Sequence, residues 1–202
     1  MAKVLLYYAH PGQQQSQVNA RMFAAAHGIE DISCVDLYAD YPRFDIDPDR
    51  EQQRLLDHDV IVFQFPLFWY STPAILKEWQ DIVLEHGFAY GSGGDKLTGK
   101  RMMLAISAAG PQDAYSPKGY QHHALRTFLR PLEQTARLCG MKFLAPYALY
   151  GSLKATAAGQ VDPHVAGYMT LLAALRDDRF TVVASGDMDV LTYQTLPAPQ
   201  GV

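Results

Sequence analysis

The sequence predicts a doubly wound α/β fold, a parallel sheet with helices on both faces. Three observations carry this reading: five short apolar runs, helix-start signals between them, and runs that are near-continuous rather than alternating. A strand with one wet face alternates apolar and polar residues, whereas a strand covered on both faces stays apolar throughout. Strands that alternate with helices imply parallel pairing.

Val4-Leu5-Leu6-Tyr7-Tyr8 reads as the first strand and Ile32-Ser33-Cys34-Val35-Asp36-Leu37 as a weaker second. Val60 to Phe65 is the strongest, and Met102 to Ile106 and Phe143 to Tyr150 complete the five. Helix starts are marked where a short polar residue precedes proline, at Asp47-Pro48, Thr72-Pro73 and Asp162-Pro163. Each offers an N-cap followed by proline at the first helical position. After Thr72, the residues Ile75, Leu76, Trp79, Ile82 and Val83 share one helical face, and Gly87 supplies a stop. A further helix is expected from about His122 to Cys139, stopped by Gly140 and kinked or broken at Pro131.

No internal repeat, low-complexity segment or linker divides the chain. The expectation is one domain over residues 1–180, with an extension over residues 181–202 that is less regular. That extension can add a short strand or cover a neighbouring subunit. With 202 residues, 49% hydrophobic and 19% charged, the chain is long enough and apolar enough for a real core. A net charge of -4 and the lack of any Lys/Arg-rich run remove the electrostatic footprint of a nucleic-acid binder. Cys34 and Cys139 stand far apart without a C-x-x-C, which suits a reducing compartment. There is no basic-then-apolar leader and no apolar stretch of about 20 residues. These features predict a soluble cytoplasmic protein.

In such sheets ligands bind beyond the carboxyl ends of the strands, near the point where strand order reverses. That selects three loops: His10 to Asn19, Pro66 to Pro73, and Ser107 to Tyr120. The first ends at a helix start, where unpaired N–H groups and the helix dipole favour an anion. Ser16, Asn19 and His10 add donors for a phosphate, although Ser16 as a plain N-cap and His10 as an ordinary turn residue explain the spacing equally well. The second loop carries Phe68-Trp69-Tyr70, and three adjacent aromatics in a loop cannot all point inward. Those left outside form a wall for a planar ligand or a subunit interface. The third, Ser107-Ala108-Ala109-Gly110-Pro111, is small enough for main-chain N–H groups to approach a ligand, or is simply a tight turn.

Other signals fail on physical grounds. Gly94-Asp95-Lys96-Leu97-Thr98-Gly99-Lys100 matches most of a P-loop, but Arg101 replaces the Ser/Thr and a strand follows instead of a helix. It reads as a loop crossing into the fourth strand. Neither G-x-G-x-x-G nor G-x-S-x-G occurs. His122 and His123 are adjacent, so their helical side chains diverge and a shared metal is not expected. Cys139, at a helix end, reads as buried rather than reactive.

Together these motifs resemble the flavodoxin-like NAD(P)H:quinone oxidoreductases, and within them the ancillary proteins of bacterial glutathione-regulated potassium-efflux systems. The resemblance rests on Lys3 to Pro11 with Ser16 and Asn19 behind it, Tyr41-Pro42-Arg43-Phe44-Asp45-Ile46-Asp47, and Val60 to Pro66. Trp69-Tyr70-Ser71-Thr72-Pro73, Leu76-Lys77-Glu78-Trp79, Gly87-Phe88-Ala89-Tyr90-Gly91 and Leu129-Arg130-Pro131-Leu132 extend it over residues 1–175 or so. It implies a flavodoxin-like three-layer sandwich with a five-stranded parallel sheet in the order 2-1-3-4-5.

It further implies a bound flavin, FMN or FAD, with FMN favoured because the first loop lacks the glycines of a pyrophosphate site. His10, Ser16, Gln17, Val18 and Asn19 would hold the phosphate. Pro66, Leu67, Phe68 and Trp69 would flank the ring, and Ser107, Ala108, Ala109 and Gly110 would contact its polar edge. Tyr115 and His122, the latter chosen over His123, match the pair that assists hydride transfer from NAD(P)H to flavin and then to a quinone. Two departures stand out: the family's usual Thr-Thr-Gly-Gly is Ser107-Ala108-Ala109-Gly110, and Phe68 stands where glutamine is common. An alanine in place of glycine is disfavoured wherever φ is positive. The resemblance also implies a homodimer with its active site at the subunit boundary. An alternative reading is a regulatory subunit docked on a potassium-efflux antiporter, peripheral to the inner membrane. An electron carrier fits less well, because such carriers are strongly acidic and -4 is modest.

Overall fold

The computed structural model describes residues 1–12, 16–180 and 190–196. Its centre is β1 (Val4–Tyr8), buried at every residue and paired in parallel with β2 (Ile32–Asp36) on one side and β3 (Val60–Pro66) on the other. β4 (Arg101–Ser107) continues the sheet, in register with β3 from Val60–Arg101 to Pro66–Ser107. The strand expected over Phe143 to Tyr150 is two strands, β5 (Lys142–Phe143) and β6 (Tyr147–Leu149), which pair with β4 at different heights. Pro146 separates them, since a residue without an N–H cannot continue a ladder. The order is β2-β1-β3-β4-β5, with β6 also on β4, as the sequence predicted apart from this split.

The helices are α1 (Asn19–Ala26), α2 (Leu37–Asp40), α3 (Pro48–Leu56), α4 (Ala74–Val83), α5 (Leu125–Phe128), α6 (Arg130–Leu138) and α7 (Val161–Arg176). Phe63 packs edge-on to Trp79 of α4, while the next residue, Gln64, bonds the main chain of Asn19 on α1. Consecutive strand residues point to opposite faces, so α1 and α4 cover opposite sides of the sheet.

Of the three predicted caps, Asp47 holds as written: its carboxylate accepts the Arg50 N–H at 3.1 Å, with Pro48 opening α3. At Thr72-Pro73 the helix begins one residue later, with Pro73 at the cap position in extended backbone. Asp162 is already inside α7, where its side chain pairs with Arg21, and Pro163 sits in the first turn, where its missing N–H costs nothing. The helix expected over residues 122–139 is two, because Pro131 starts α6 rather than bending a longer helix. Leu37, read as the end of the second strand, opens α2 under the cap of Asp36. The P-loop look-alike is a crossing loop into β4, as expected, with Lys100 donating to the carbonyls of Leu56 and His58.

Glu51 of α3 is fully buried, and its carboxylate gathers four donors. Tyr7 of β1 donates to one oxygen, as does Trp79 Nε1 at 3.0 Å; Tyr41 at 2.7 Å and Arg54 at 2.6 Å serve the other. Burial, then the adjacent carboxylate, hold the Tyr7 phenol far above its ordinary pKa, so it stays a donor. A buried charge is tolerated only when paired and hydrogen-bonded in this way.

On the opposite helix layer, His164 of α7 is also fully buried, stacked on Tyr147 with ring centres 4.5 Å apart. Neither ring nitrogen has a partner among the described residues. Next to it, Leu191 makes one parallel bridge to Tyr147, so a piece of the C-terminal extension does add a strand-like contact. The rest of the predicted extension, residues 181–189 and 197–202, lies outside the described residues.

Two outcomes follow for stability. Glu51→Ala leaves two phenols, an indole and a guanidinium without their acceptor, and is expected to cost about 3–5 kcal/mol in urea unfolding. Burial pushes the His164 imidazole down to about 3 from its ordinary 6.5. The unfolded chain therefore takes up this proton first, and stability falls as pH drops from 6.5 toward 3, by at most about 1.4 kcal/mol per pH unit. His164→Phe keeps a stacked ring and removes the titration, so the variant should lose less stability than the parent between about pH 7 and about pH 5.

Candidate functional site

The three predicted loops meet beyond the carboxyl ends of β1, β3 and β4, and direct contacts join them. Asn19 Nδ2 donates to Ser107 Oγ at 2.7 Å, tying the first loop to the third. Leu67 N–H donates to the Ser107 carbonyl at 2.9 Å, tying the second to the third. The His10 ring meets Phe68 edge-on at 5.9 Å, tying the first to the second.

At the first loop, the helix α1 starts without a side-chain cap at its first position. Ser16 Oγ instead reaches into the first turn and accepts the Ala20 N–H at 3.0 Å. The N–H groups of Gln17, Val18 and Asn19 have no acceptor among the described residues, which is the donor set an anion needs. His10 Nδ1 accepts the Gly12 N–H at 3.1 Å, so a neutral imidazole presents its proton at Nε2. Burial pushes its pKa below the ordinary value, which favours that neutral form. Val18 and Asn19 are buried, so their side chains do not line an open site. Val18 contributes only main chain, and the Asn19 amide is committed to Ser107.

The second loop is a two-residue hairpin turn. Phe68 and Ser71 exchange main-chain hydrogen bonds at 2.9 and 3.1 Å, with Trp69 and Tyr70 between them at φ +48° and +65°. Positive φ at both central positions belongs to Asn and Gly, and two aromatics there store strain of about 1–3 kcal/mol each. Trp69 is 92% exposed, whereas Tyr70 lies against Phe128 with ring centres 4.9 Å apart. The strain holds an indole outward at the edge of the sheet, where packing gains nothing from it.

In the third loop, neither Ala109 nor Gly110 has a positive φ, so the alanine that replaces a family glycine is unstrained. Gly110 matters for a different reason, close approach by side chains. A Cβ there would come within 3.1 Å of the Tyr115 ring and of the Tyr120 hydroxyl. Tyr115 thus lies over the glycine, half-buried, with its ring also against Tyr150 at 5.6 Å and Phe128 at 6.2 Å. Burial raises its pKa, keeping the phenol protonated. His122 is exposed at φ +61°, while His123 packs edge-on to Phe128, the ring that also touches Tyr115 and Tyr70.

Sequence reasoning missed a fourth loop. Beyond β6, Gly151 N–H donates to the Gly110 carbonyl at 2.8 Å and Ser152 N–H to the Ala108 carbonyl at 3.0 Å. Thr156 then reaches Gln17, its hydroxyl donating at 2.8 Å, so this loop bridges the first and third. The rule that found the other loops applies here too, because the strand expected over Phe143 to Tyr150 ends only one residue beyond β6, so this loop was open to the same reading. No group of side chains suited to a metal ion occurs among the described residues.

Residues 2–172 match the family described as having the flavodoxin-like fold. The chain belongs to that family. Its relatives include the glutathione-regulated potassium-efflux system ancillary protein KefG of Cronobacter sakazakii, 50% identical over 149 residues, which span 74% of this chain and 81% of that protein. The fold also matches a general stress protein 14 from Treponema denticola, solved in complex with FMN, at 35% identity and a TM-score of 0.81, covering 86% of this chain and 99% of that one. An NADPH-quinone reductase from P. pentosaceus matches at 27% identity and a TM-score of 0.75, covering 84% and 96%.

The strained turn of this family member generates a test. Trp69→Asn relieves positive-φ strain and surrenders almost no buried surface, so the variant should gain about 1 kcal/mol in urea unfolding. If the indole serves a ligand, binding of FMN, followed by quenching of its fluorescence, should weaken in the same variant.

Proposed function

We propose that this protein is a flavin-dependent NAD(P)H:quinone oxidoreductase. The observation that carries the reading is the Trp69-Tyr70 turn, which holds an exposed indole in strained backbone at a sheet edge where helix-start N–H groups have no acceptor among the described residues. A planar ligand with an anionic tail satisfies both features, and a flavin mononucleotide has both parts. FMN is favoured over FAD because the first loop offers one helix start and few glycines. The FMN complex of the Treponema denticola relative supports the same choice, and the NADPH-quinone reductase from P. pentosaceus supports the nicotinamide and the quinone.

A bound flavin would supply two-electron exchange between a nicotinamide and a quinone. The chain's part is binding and orientation. Helix-start N–H groups from Gln17 to Asn19, with His10 Nε2–H and Ser16, hold the phosphate. Pro66, Leu67, Phe68 and Trp69 set the plane of the ring, and Ser107 to Gly110 meet its polar edge. Tyr115, protonated and resting on Gly110, donates a hydrogen bond where negative charge grows on a quinone oxygen. His122 is the proposed second donor, and the packing of His123 on Phe128 makes it the natural control. The exposed aromatics of the same turn suit a second copy of this chain as the far wall of the site.

The purified protein should show flavin absorbance that NAD(P)H bleaches and a quinone restores. A colourless protein that takes up neither FMN nor FAD overturns the reading. Within it, Tyr115→Phe and His122→Ala should each slow quinone-dependent turnover about tenfold or more in stopped-flow, and unchanged rates remove them. A second role, as ancillary subunit of a potassium-efflux antiporter, is favoured by the 50% identity to KefG. Co-purification with such an antiporter tests it, and the two roles are compatible.

A further inference from the structure

Gln64 lies in the middle of β3, fully buried in a strand whose other residues are all apolar. Its Nε2 donates to the main-chain carbonyl of Asn19 at 2.6 Å, in the first turn of α1. Asn19 is itself 2% exposed, and its amide donates onward to Ser107 Oγ. The three residues form one chain of contacts beneath the site, from β3 through the start of α1 to the lip of β4. The carbonyl ends of both amides, Gln64 Oε1 and Asn19 Oδ1, are buried without a donor among the described residues. A buried acceptor left unmet is destabilising, and an aliphatic residue would avoid it. A carboxamide kept at that cost in an otherwise apolar strand points to a task other than holding the fold.

We propose that Gln64 is a positioning residue for the flavin site, acting through Asn19 and Ser107. The inference rests on the flavin reading above. By gripping the Asn19 carbonyl, Gln64 sets where the first turn of α1 sits, and with it the N–H groups offered to the phosphate. The Asn19 amide nitrogen can only donate, so Ser107 Oγ must accept from it. That leaves the hydroxyl hydrogen of Ser107 as a donor at the edge of the site. Phosphate-holding and ring-edge loops, 88 residues apart in sequence, are thereby held at one spacing.

The test compares FMN affinity, the midpoint potential of bound FMN and the melting temperature of the flavin-free protein. It uses the parent, Gln64→Leu, the near-isosteric Gln64→Met, Ser107→Ala and the Gln64→Leu/Ser107→Ala pair. Either Gln64 variant should bind FMN roughly tenfold or more weakly and shift its potential, while the flavin-free melting temperature holds or rises. In the Ser107→Ala background the same replacement should cost distinctly less, because the hydroxyl it works through is gone. Affinity within about twofold of the parent, or effects that simply add, overturn the proposal. So does a fall in melting temperature with affinity and potential intact, the signature of a residue that only packs. A parent protein that binds no flavin fails at the first titration and refutes the functional reading itself, whereas a parent that binds and variants unchanged refute only the role of Gln64.

Discussion

The carboxylate of Glu51 is the point on which one whole side of this molecule turns. It stands on α3, yet its four donors come from β1, from the segment after α2, from α4 and from its own helix. An isolated ion in that position costs several kcal/mol to desolvate, and only the full set of donors offsets it. The bonds therefore act together: withdrawing one leaves a charge and other dipoles unmet. Tyr7 and Trp79 are drawn to the same oxygen, and their rings pack with Phe63 at 5.0–5.5 Å. Both lie on elements that lead directly to the site, β1 into the His10 loop and α4 out of the Trp69 turn. A buried charge on one face thus fixes the framework from which two of the site loops depart.

Beyond that framework, polar contacts join the site loops alongside the ring contacts of His10 with Phe68 and of Tyr70 and Tyr115 with Phe128. Ser107 serves as a common anchor, with its carbonyl taking the Leu67 N–H and its hydroxyl the Asn19 amide. The loop after β6 closes the arrangement through Gly110, Ala108 and Gln17. Such contacts are directional, so they hold loops at defined spacings where apolar contacts would permit sliding. The aromatic turn adds the opposite device, strain, which a fold carries only where the surroundings over-determine the backbone.

Much of the fold could be read from the chain because its signals are local. Unbroken apolar runs showed strands covered on both faces, and Asp47-Pro48 marked a helix start that the structure reproduces to the residue. The errors also have local causes. Thr72-Pro73 and Asp162-Pro163 carry the same kind of signal as Asp47-Pro48, but α4 starts one residue later and α7 two residues earlier than that signal places them. Pro146 lies within an apolar run, yet a residue without an N–H interrupts a ladder, so the single expected strand is two. Pro131 reads as a kink or a break, and the structure uses it in the first turn of α6.

For the site itself, the sequence by itself determined which chemistry stands at the sheet edge: a helix start rich in short polar residues, three adjacent aromatics, and a small-residue turn. Those properties belong to residue types and to the rule that parallel strands release their loops at one edge. Only the tertiary structure decided which side chains remain free there. Asn19 reads as a phosphate ligand in the chain but is withdrawn into the core by Ser107, 88 residues away. Gln64 looks like an incidental polar residue in a strand until its contact with α1 is seen. The sequence shows that Phe68, Trp69 and Tyr70 cannot all point inward, and two positive φ angles decide that Trp69 is the one turned fully outward. Composition specifies what a side chain can do, whereas burial and partners set by distant residues specify which of those capacities is already taken.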